Sequence, residues 1–570
     1  MRRPPFKLAG IVVLILLAEA AAWADVLPGS AMPEQVSKAL TQQHRQVKTG
    51  SIPTLAAPKE ETSPVGAQAE KIKFQLNGVV LEGNTVYSTA QLQPIYQDKL
   101  HKIITVKDLF AIVQELTNYY RNNGYVISRA ILPPQHVKGG VVHIRIIEGY
   151  IGNVDVSGTP KGAKCYVLGL GRRIGECRPL QIKRMEKYLL LANEVPGTEV
   201  KAVLAPSKKQ IGAADLTLVT ENKRFKGYVS YDDYGTRYIG PQQMTMNLGL
   251  NSTMVSGDAT QFTLTKTPKG GELTYTDLNY SLPLSTDGVR WLLGATRAQT
   301  HPLFVLQPTQ IDGVNNNYYT MFQFPWIRDR TQSLTWRGGF NVLDSNVTTF
   351  SQPFYADHIR SLDVGGTYNF IDRWYGSNLI SGDLRQGLPL FGYTTDTEIT
   401  AQTSRPGGHA VYSKATLQVS RLQAIKGPFS IYGLLSGQTA SVPLLSSEQF
   451  TFGGSQLGRG YDVAELIGDR GAAGSLELRL DVSPNKFFIS SLEFYAFYDI
   501  GAIWNIEVNE TSPAKISASS TGIGVRFFGT KYISGNLMWT QPLTKQVAAE
   551  ELIGDGWRPR TFFSIVASFD

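Results

Sequence analysis

The sequence predicts a mainly β protein in which a transmembrane β-barrel occupies residues 223–570 and two smaller α+β units precede it. Two observations predict the barrel: apolar and polar side chains alternate repeatedly from residue 225 onward, and no convincing helix interrupts them. A third observation predicts the α+β units, because residues 71–222 mix strand-like alternation with helix-start signals.

Residues 1–24 have the composition of a secretory signal peptide. Three basic residues precede the apolar run LAGIVVLILLA (8–18), and Ala22-Trp23-Ala24 supplies the small residues of a cleavage site. The run is too short to span a bilayer as a helix, so we expect cleavage before Asp25 and export. The formal charge of +8 includes no Lys/Arg cluster of the kind that binds nucleic acid, and we expect no nucleic-acid partner.

Two segments lie between the signal peptide and the first α+β unit. Residues 25–46 include PEQVSKALTQQHRQ (33–46), a polar stretch without helix breakers after Pro33, which is compatible with a helix or with a disordered tail. Residues 47–70 contain three prolines and are typical of a linker. A flexible linker of this length spans roughly 27 Å, close to the thickness of a bilayer core.

The first α+β unit, residues 71–149, has the order strand-helix-helix-strand-strand. Ser88-x-x-Gln91 and Thr105-x-x-Asp108 each predict a capping box at a helix start. Apolar residues at helical spacing follow Thr105, and YVISRAILP (125–133) and GVVHIRIIEG (140–149) are predicted strands.

The second unit, residues 150–222, repeats this style. A helix is predicted over 179–194, and strands over 199–206 and 213–221. Cys165 and Cys177 also lie in this unit. In an oxidising compartment such a pair favours a structural disulfide, with two free thiols as the alternative.

The alternation after residue 225 fits two kinds of structure. In SLELRLDV (475–482) one face is apolar and Glu477, Arg479 and Asp481 fill the other. A soluble β-sandwich would bury the apolar face, whereas a membrane barrel would turn it to lipid and the polar face to a wet lumen. Length, aromatic residues near strand ends and the charged inner face favour the barrel. At about 10 residues per strand, this region allows roughly 14–18 strands and an aqueous channel.

One long segment of this region breaks the alternation. FGGSQLGRGYDVAELIGDRGAAG (452–474) has seven glycines and one Arg-Gly-Tyr step, and it has no periodic apolar face. A loop this long is usually functional or disordered.

Three stretches resemble the TpsB transporters of two-partner secretion, the family of haemolysin secretion/activation proteins and filamentous-haemagglutinin transporters. Residues 116–158 resemble the family's first POTRA domain, and residues 447–481 resemble its sixth extracellular loop with the following strand. FYAFYDIGAIW (494–504) is similar to its Phe-x-Asp-x-Gly strand. The three stretches occur in the family's order, and the resemblance covers nearly all of the chain after residue 24.

The resemblance implies a domain plan: a signal peptide (1–24), a pore-plug helix (25–46), a linker (47–70), two periplasmic POTRA domains (71–149 and 150–222) and a 16-stranded outer-membrane barrel (223–570). It implies an outer-membrane pore of a Gram-negative bacterium that exports a specific unfolded exoprotein, of adhesin, haemolysin, toxin or haem-scavenging type. The POTRA domains would bind this exoprotein, and the other implied partners are outer-membrane lipid and the barrel assembly machinery. We expect a monomer without cofactors.

The resemblance also implies site residues. In the family the loop folds back into the pore and carries Val-Arg-Gly-Tyr/Phe at its tip, which Arg459, Gly460 and Tyr461 match, while Gly458 replaces Val or Ile. Phe497, Asp499 and Gly501 match the wall motif.

The spacing of the wall motif carries its own prediction. Residues two apart share one face of a strand, so Asp499 points into the lumen and needs a counter-charge. Arg459, on a glycine-rich loop, is predicted to supply it. The alternative is a solvated surface loop beside an unrelated strand aspartate. The chain ends Phe569-Asp570, whereas many outer-membrane barrels end on the aromatic residue itself.

Enzyme motifs such as G-x-S-x-G, H-E-x-x-H and G-x-x-x-x-G-K-[ST] are absent from the sequence, and the closest histidines, His136 and His143, have no cysteine nearby. We therefore expect neither an enzyme nor a metal site. Two other functions remain open at this point. A BAM-type insertase shares the loop and POTRA design but carries more POTRA units, and a passive porin would need none.

Overall fold

The computed structural model of the chain describes residues 27–44, 69, 71–158, 162–268, 270–395, 402–484, 489–507, 513–529 and 532–570. The predicted signal peptide lies outside these residues, as does all of the predicted linker except residue 69. In the described part of the chain, no helix is both long and apolar enough to cross a membrane. The first helix, α1, spans Pro33–His44 and follows a 3-10 turn at Gly29–Ala31.

The first α+β domain contains the predicted helices and closing strands, but it has two strands before the first helix and a further short strand between the helices. Its elements are β1 (Lys73–Gln75), β2 (Gly78–Glu82), α2 (Thr89–Leu92), β3 (Ile103–Thr105), α3 (Val106–Asn122), β4 (Arg129–Ile131) and β5 (Val141–Ile147), with 3-10 turns at Gln93–Ile95 and Gln97–Lys99. The sheet order is β2-β5-β4, with β2 parallel to β5, and β1 pairs separately with β3.

Both predicted capping boxes are present. Ser88 and Gln91 exchange hydrogen bonds at the start of α2, and Thr105 and Asp108 do so at the start of α3. The hydrogen bonds from Thr105 hold the pKa of the Asp108 carboxyl below its usual range. These contacts fix the start of α3, whose apolar face packs on the sheet.

The second α+β domain contains β6 (Tyr150–Gly158), α4 (Lys164–Gly175), α5 (Ile182–Asn193), β7 (Thr198–Pro206) and β8 (Ala213–Asn222). Its sheet order is β6-β8-β7, with β6 parallel to β8. Helices α4 and α5 cover one face of this sheet and close an apolar core. The sequence predicted α5 and the closing strands but not α4.

The predicted disulfide between Cys165 and Cys177 is wrong, because both thiols are free. Cys165 lies in the first turn of α4 and Cys177 lies just beyond its end. At 1.5 Å per residue, the helix separates the two residues by roughly 18 Å, about three times the Cα distance of a disulfide.

The remaining strands build the barrel and one small hairpin. They are β9 (Phe225–Asp232), β10 (Gln243–Asn251), β11 (Ala259–Lys266), β12 (Leu273–Pro283), β13 (Arg290–Thr300), β14 (Ile311–Arg328), β15 (Gln332–Thr349), β16 (Gln352–Ile371), β17 (Ser377–Gly387), β18 (Ser413–Lys426), β19 (Phe429–Ala440), β20 (Phe450–Phe452), β21 (Leu466–Gly468), β22 (Arg470–Val482), β23 (Ser491–Trp504), β24 (Lys515–Phe528), β25 (Ile533–Pro542) and β26 (Arg560–Phe569). Short helical turns lie at Phe304–Thr309, Ser446–Glu448 and α6 (Ala548–Glu551).

Sixteen of these strands form one closed antiparallel barrel, as the resemblance implied. Strands β9 to β19 run in order, β22 to β26 continue the wall, and β26 pairs with β9 to close it. In the part of the chain that the structure describes, strands β20 and β21 pair only with each other. The barrel prediction is therefore confirmed in preference to a β-sandwich.

The alternation of the sequence separates the two faces of this wall. Along β10, Met244 and Met246 are exposed on the outer face, whereas Thr245 and Asn247 are buried on the inner face. Thr245 and Asn247 hydrogen-bond to threonines of β11 across the lumen side. An apolar outside and a polar inside are what a barrel in lipid requires.

The second α+β domain packs against one end of the barrel, which we call the domain end; the opposite end is the far end. The Tyr166 hydroxyl donates to the Ser285 carbonyl at 2.9 Å, and Asp287 binds both Arg173 and Tyr188 at 3.1 and 3.0 Å. Trp326, Trp336 and Trp374 are exposed on the outer face near this end. They occupy the position of an interfacial aromatic girdle.

Candidate functional site

The candidate site is the lumen, where a long loop from the far end folds inward. We call residues 441–469, between β19 and β22, the pore loop. Its β20–β21 hairpin packs Phe450, Phe452 and Leu466 against Ile503 and Ala518 of the wall. The apolar contacts bury the hairpin, so the glycine-rich segment is a packed element and not a solvated surface loop.

Arg459 lies at the tip of the pore loop and contacts Asp499 of β23, the predicted partner. Its Nη2 lies 2.7 Å from Asp499 Oδ1, and its Nε lies 2.9 Å from Oδ2. The two side chains are 4% and 0% exposed. This is a bidentate, fully buried pair, whose removal costs much more than the loss of a surface ion pair.

The tip is held by more than one ion pair. Asp499 Oδ2 also accepts hydrogen bonds from the backbone N–H groups of Gly458 and Arg459, at 3.1 and 3.0 Å. Arg459 in turn binds the Glu477 carboxylate and donates to Ser475 Oγ at 2.8 Å. Asp499 binds backbone N–H groups as well as the guanidinium. It therefore fixes the path of the backbone at the tip, in addition to neutralising the charge of Arg459.

The charges around the tip balance. Glu477 also binds Arg526 and Arg479, and Arg526 reaches Glu493. Three arginines (Arg459, Arg479 and Arg526) therefore face three carboxylates (Glu477, Glu493 and Asp499). A balanced, hydrogen-bonded cluster is the form in which charges are tolerated when buried.

The other residues of the two motifs fit around this pair. The Phe497 ring lies 3.6 Å from the Arg459 guanidinium, a cation–π contact. Gly501 leaves room for the Phe452 ring, which a Cβ at that position would approach to 2.3 Å. On one inner face, the wall motif thus supplies a ring that packs on the guanidinium, a carboxylate that pairs with it, and a glycine that leaves room for Phe452.

The tip residues also have defined places. A Cβ on Gly460 would lie 2.8 Å from Ser520 Cβ on the wall, and the Tyr461 hydroxyl donates to the Ser519 carbonyl at 2.9 Å. Gly458 has φ +75°, and a Cβ there would lie 2.7 Å from the Phe452 ring. The positive φ and the nearby Phe452 ring both disfavour a side chain at this position, so the conformation requires Gly458.

The base of the pore loop is attached through a second set of charges, which the sequence did not single out. Glu448, at the end of the 3-10 turn, binds Arg385 of β17 and Lys414 of β18. Asp469, just before β22, accepts from the backbone N–H groups of Leu444 and Ile506, at 2.8 and 2.9 Å. The only sequence signal for these residues is their charge beside an apolar loop.

Helix α1 fills another part of the lumen. Val36 and Leu40 of the helix, and Met32 directly before it, are buried among apolar side chains of the wall and of the loops at the far end. Its polar side chains are also used: the Glu34 carboxylate accepts from Ser345 Oγ at 2.8 Å and from the Tyr355 hydroxyl at 3.1 Å. The segment Pro33–His44 is therefore a buried helix, and the surface that it packs against is partly apolar and partly polar.

Helix α1 also touches the pore loop directly. Lys38 Nζ donates to the Gln449 carbonyl at 2.6 Å, and Gln35 Nε2 donates to the Ser446 carbonyl. Gly29, just before α1, approaches the Ala464 carbonyl so closely that a Cβ would lie 2.6 Å from its oxygen. The helix and the loop therefore form one packed body inside the barrel.

The described residues hold no group of three or more His, Cys, Asp or Glu that is placed to bind a metal ion. The contacts within the lumen are ion pairs, apolar packing and hydrogen bonds, all of which can break and form again when a loop or helix moves.

This chain is similar to known proteins over most of its length. Residues 213–527 match the family described as haemolysin secretion/activation protein ShlB/FhaC/HecB, and residues 74–149 match the ShlB-type POTRA domain. The heme/hemopexin transporter protein HuxB of Haemophilus influenzae strain 86-028NP is 26% identical, over 85% of this chain and 86% of HuxB. The outer membrane transporter CdiB of Dickeya dadantii strain 3937 is 23% identical, over 79% of this chain and 80% of CdiB.

Solved structures show the same fold. CdiB from Escherichia coli superposes with a TM-score of 0.72 at 17% identity, covering 95% of this chain and 100% of that structure. BamA from Haemophilus ducreyi, lacking POTRA domains 1–3, superposes with a TM-score of 0.52 at 12% identity, covering 87% and 100%. At these identities the likeness concerns the fold alone.

Proposed function

Since this chain belongs to the ShlB/FhaC/HecB family of haemolysin secretion/activation proteins, we propose that it exports one unfolded exoprotein through its own barrel, with α1 and the pore loop controlling the lumen. It is an outer-membrane transporter of two-partner secretion, with its POTRA domains in the periplasm. The domain end of the barrel is then periplasmic and the far end extracellular.

The observation that carries the proposal is that the lumen is occupied. Arg459 holds the tip of the pore loop on Asp499, and α1 packs beside the loop. An unfolded chain can pass only when at least one of these elements moves. Inside the lumen neither element is paired with a strand of the wall, and both are held there largely by side-chain contacts that can be exchanged.

The members of this family are transporters, and our proposal contains no catalytic step. The periplasm holds no ATP, so the work of transport must come from the substrate. We propose that folding of the exoprotein at the cell surface supplies it, because a folded segment cannot slide back through the barrel. In this scheme the residues of the two motifs position the loop and take part in no chemical reaction. These residues are Arg459, Gly460, Tyr461, Phe497, Asp499 and Gly501.

The POTRA domains are the proposed receptor for the exoprotein. Their sheets have outer strands β2 and β4 in the first domain and β6 and β7 in the second. Val80 of β2 and Val203 of β7 are exposed apolar side chains on these strands. An extended chain adds readily to such an edge. Proline at positions of β7 whose N–H points away from β8 should weaken exoprotein binding while the barrel still assembles.

The class of exoprotein follows from likeness only. HuxB is named a heme/hemopexin transporter, which makes a haem-scavenging exoprotein one candidate beside an adhesin, a haemolysin and a contact-dependent toxin. We also propose that the chain works as a monomer and that the barrel assembly machinery inserts it.

In the decisive experiment, the gene for this protein is deleted from its host, and the extracellular and outer-membrane proteins of the mutant are compared with those of the wild type. Export predicts the loss of one or a few large exoproteins, restored by the wild-type chain, with other barrels at normal levels. A general loss of outer-membrane barrels would instead support an insertase. An unchanged set of extracellular proteins would contradict the proposal.

A further inference from the structure

A buried cluster of charges lies at the base of the pore loop, away from Arg459. Glu448 accepts hydrogen bonds from Arg385 Nη1 at 3.0 and 3.1 Å, and it also contacts Lys414 Nζ. Arg385 binds Asp363 as well. One loop carboxylate is thus bound to β17 and β18 directly, and to β16 through Arg385.

The backbone on either side of Glu448 binds α1. Lys38 donates to the Gln449 carbonyl at 2.6 Å, and Gln35 donates to the Ser446 carbonyl. The carbonyl of Glu448 itself accepts from Lys414 Nζ and from Gln438 Nε2, each at 2.9 Å. We call residues Ser446–Gln449 the stem. The Glu448 side chain holds the stem on the wall together with these two hydrogen bonds and with the Ser446 N–H, which donates to Ser404 Oγ at 3.0 Å.

The charges explain why α1 depends on this residue. Three cations, Lys38, Arg385 and Lys414, lie around the stem, with two anions, Glu448 and Asp363. Glu448→Gln would leave one buried cation, Lys414, and two half-buried ones, Lys38 and Arg385, facing a single anion. An uncompensated buried charge is strongly unfavourable, and the group that can leave does so. Arg385 and Lys414 belong to wall strands, whereas Lys38 lies on a helix that is not part of the wall.

We propose that Glu448 is a positioning residue that seats α1 in the lumen, so that displacement of the stem from the wall releases the helix. The inference rests on the proposed role of α1 as an element that closes the pore. It assigns the control of α1 to the stem and leaves the tip at Arg459 a separate function.

The test measures channel conductance of the purified full chain in planar bilayers. Glu448→Gln should raise the fraction of time in the open state by about tenfold or more, and Glu448→Asp should stay near wild type because the charge is kept. Asp462→Asn is the matched control. Asp462 is an equally buried carboxylate of the pore loop, but it pairs with Arg560 of β26 at 2.7 Å and does not touch the stem. It should leave the channel closed.

A second variant covers the case in which Glu448→Gln fails to assemble. Gln35→Ala combined with Lys38→Ala removes only the contacts of α1 with the stem and leaves every wall residue in place. It should also open the channel. A closed channel in this variant would overturn the inference.

Deletion of residues 27–46 separates the inference from the function on which it rests. This deletion should open the channel, and Glu448→Gln should then add nothing, because both act through α1. If the deletion opens the channel but Glu448→Gln does not, the inference is wrong and the closing role of α1 stands. If the deletion leaves the channel closed, the closing role fails. If Glu448→Gln opens the deleted chain further, Glu448 acts through the loop and not through the helix.

Discussion

Helix α1 and the tip of the pore loop occupy the same lumen but are held there by different forces. The helix is held by apolar side chains such as Val36 and Leu40, by the hydrogen bonds of Glu34 to the wall and by single hydrogen bonds to the stem. The tip is held by a buried bidentate ion pair and by backbone hydrogen bonds to Asp499. Apolar contacts are non-directional and weaken gradually, whereas a buried ion pair is either made or broken. The helix is therefore suited to graded release, and the tip to a two-position switch.

The largest expected effect comes from removing one partner of the tip. Arg459→Ala leaves the buried Asp499 without its counter-charge, which costs about 3–5 kcal/mol and shifts the equilibrium between the docked and undocked loop by roughly a hundredfold or more. Secretion of the exoprotein should be lost while the barrel still assembles. The measurement is extracellular exoprotein beside heat-modifiable mobility of the barrel. Secretion at the wild-type level would contradict the switch.

Exchanging the charges of Arg459 and Asp499 tests whether electrostatic attraction alone holds the tip. Arg459→Asp with Asp499→Arg restores an opposite pair, but an arginine at 499 cannot accept the two backbone N–H groups that Asp499 binds. We therefore expect secretion to remain low in the reversed pair, and Asp499→Asn, which keeps an acceptor, to lose less than Asp499→Ala. Recovery in the reversed pair would mean that attraction alone holds the tip.

A smaller, graded effect is expected at the helix. Met32→Ala, directly before α1, and Leu40→Ala, within it, each remove buried apolar contacts that hold the helix, a change that costs about 2–5 kcal/mol in well-packed cores. Each should raise the open fraction in planar bilayers, and the two together should raise it more, while secretion continues. As a control, Gln42→Ala changes an exposed position of the same helix. An abrupt loss of secretion would remove the distinction between helix and tip.

A slight effect is expected where the second POTRA domain meets the barrel. Arg173 and Asp287 are paired at 3.1 Å, but their side chains are 37% and 43% exposed, so water screens the pair. Asp287→Asn should change secretion by less than about twofold. A severe defect would show that the orientation of this domain, and not only the lumen, decides transport.

No effect is expected at the cysteines. Cys165 and Cys177 are separated by α4, so Cys165→Ser and Cys177→Ser should leave thermal unfolding and its response to reductant unchanged. Alkylation of the non-reduced protein should label both residues. Protection of both thiols until a reductant is added would contradict the separation.

The sequence predicted the parts of the molecule that follow local rules. Alternation along strands such as β10 separates lipid from lumen, and the two-residue spacing of Phe497, Asp499 and Gly501 puts Asp499 where Arg459 can reach it. The contact itself depended on family resemblance, because no local rule says where a loop of this length folds.

The misses have physical reasons too. Helix α4 carries several glycines, which lower helix propensity, yet a Cβ at Gly171 would lie 2.7 Å from Val154 on the sheet. Packing against the sheet therefore requires the residue that the local rule penalises, and the disulfide prediction failed with the missed helix. Glu448 was missed because its partners, Arg385 and Lys414, come from strands distant in sequence.

The pairing of β26 with β9 has a consequence for how the molecule is made. Six residue pairs join these strands, from Ser564–Asp232 to Phe569–Gly227, and they connect the two ends of the barrel sequence. Contacts so distant along the chain are slow to form, because the loop between them must first be ordered. The seam is therefore expected to close last, after the other hairpins have formed. Until then the lumen is an open trough, and α1 and the pore loop can enter it sideways without threading.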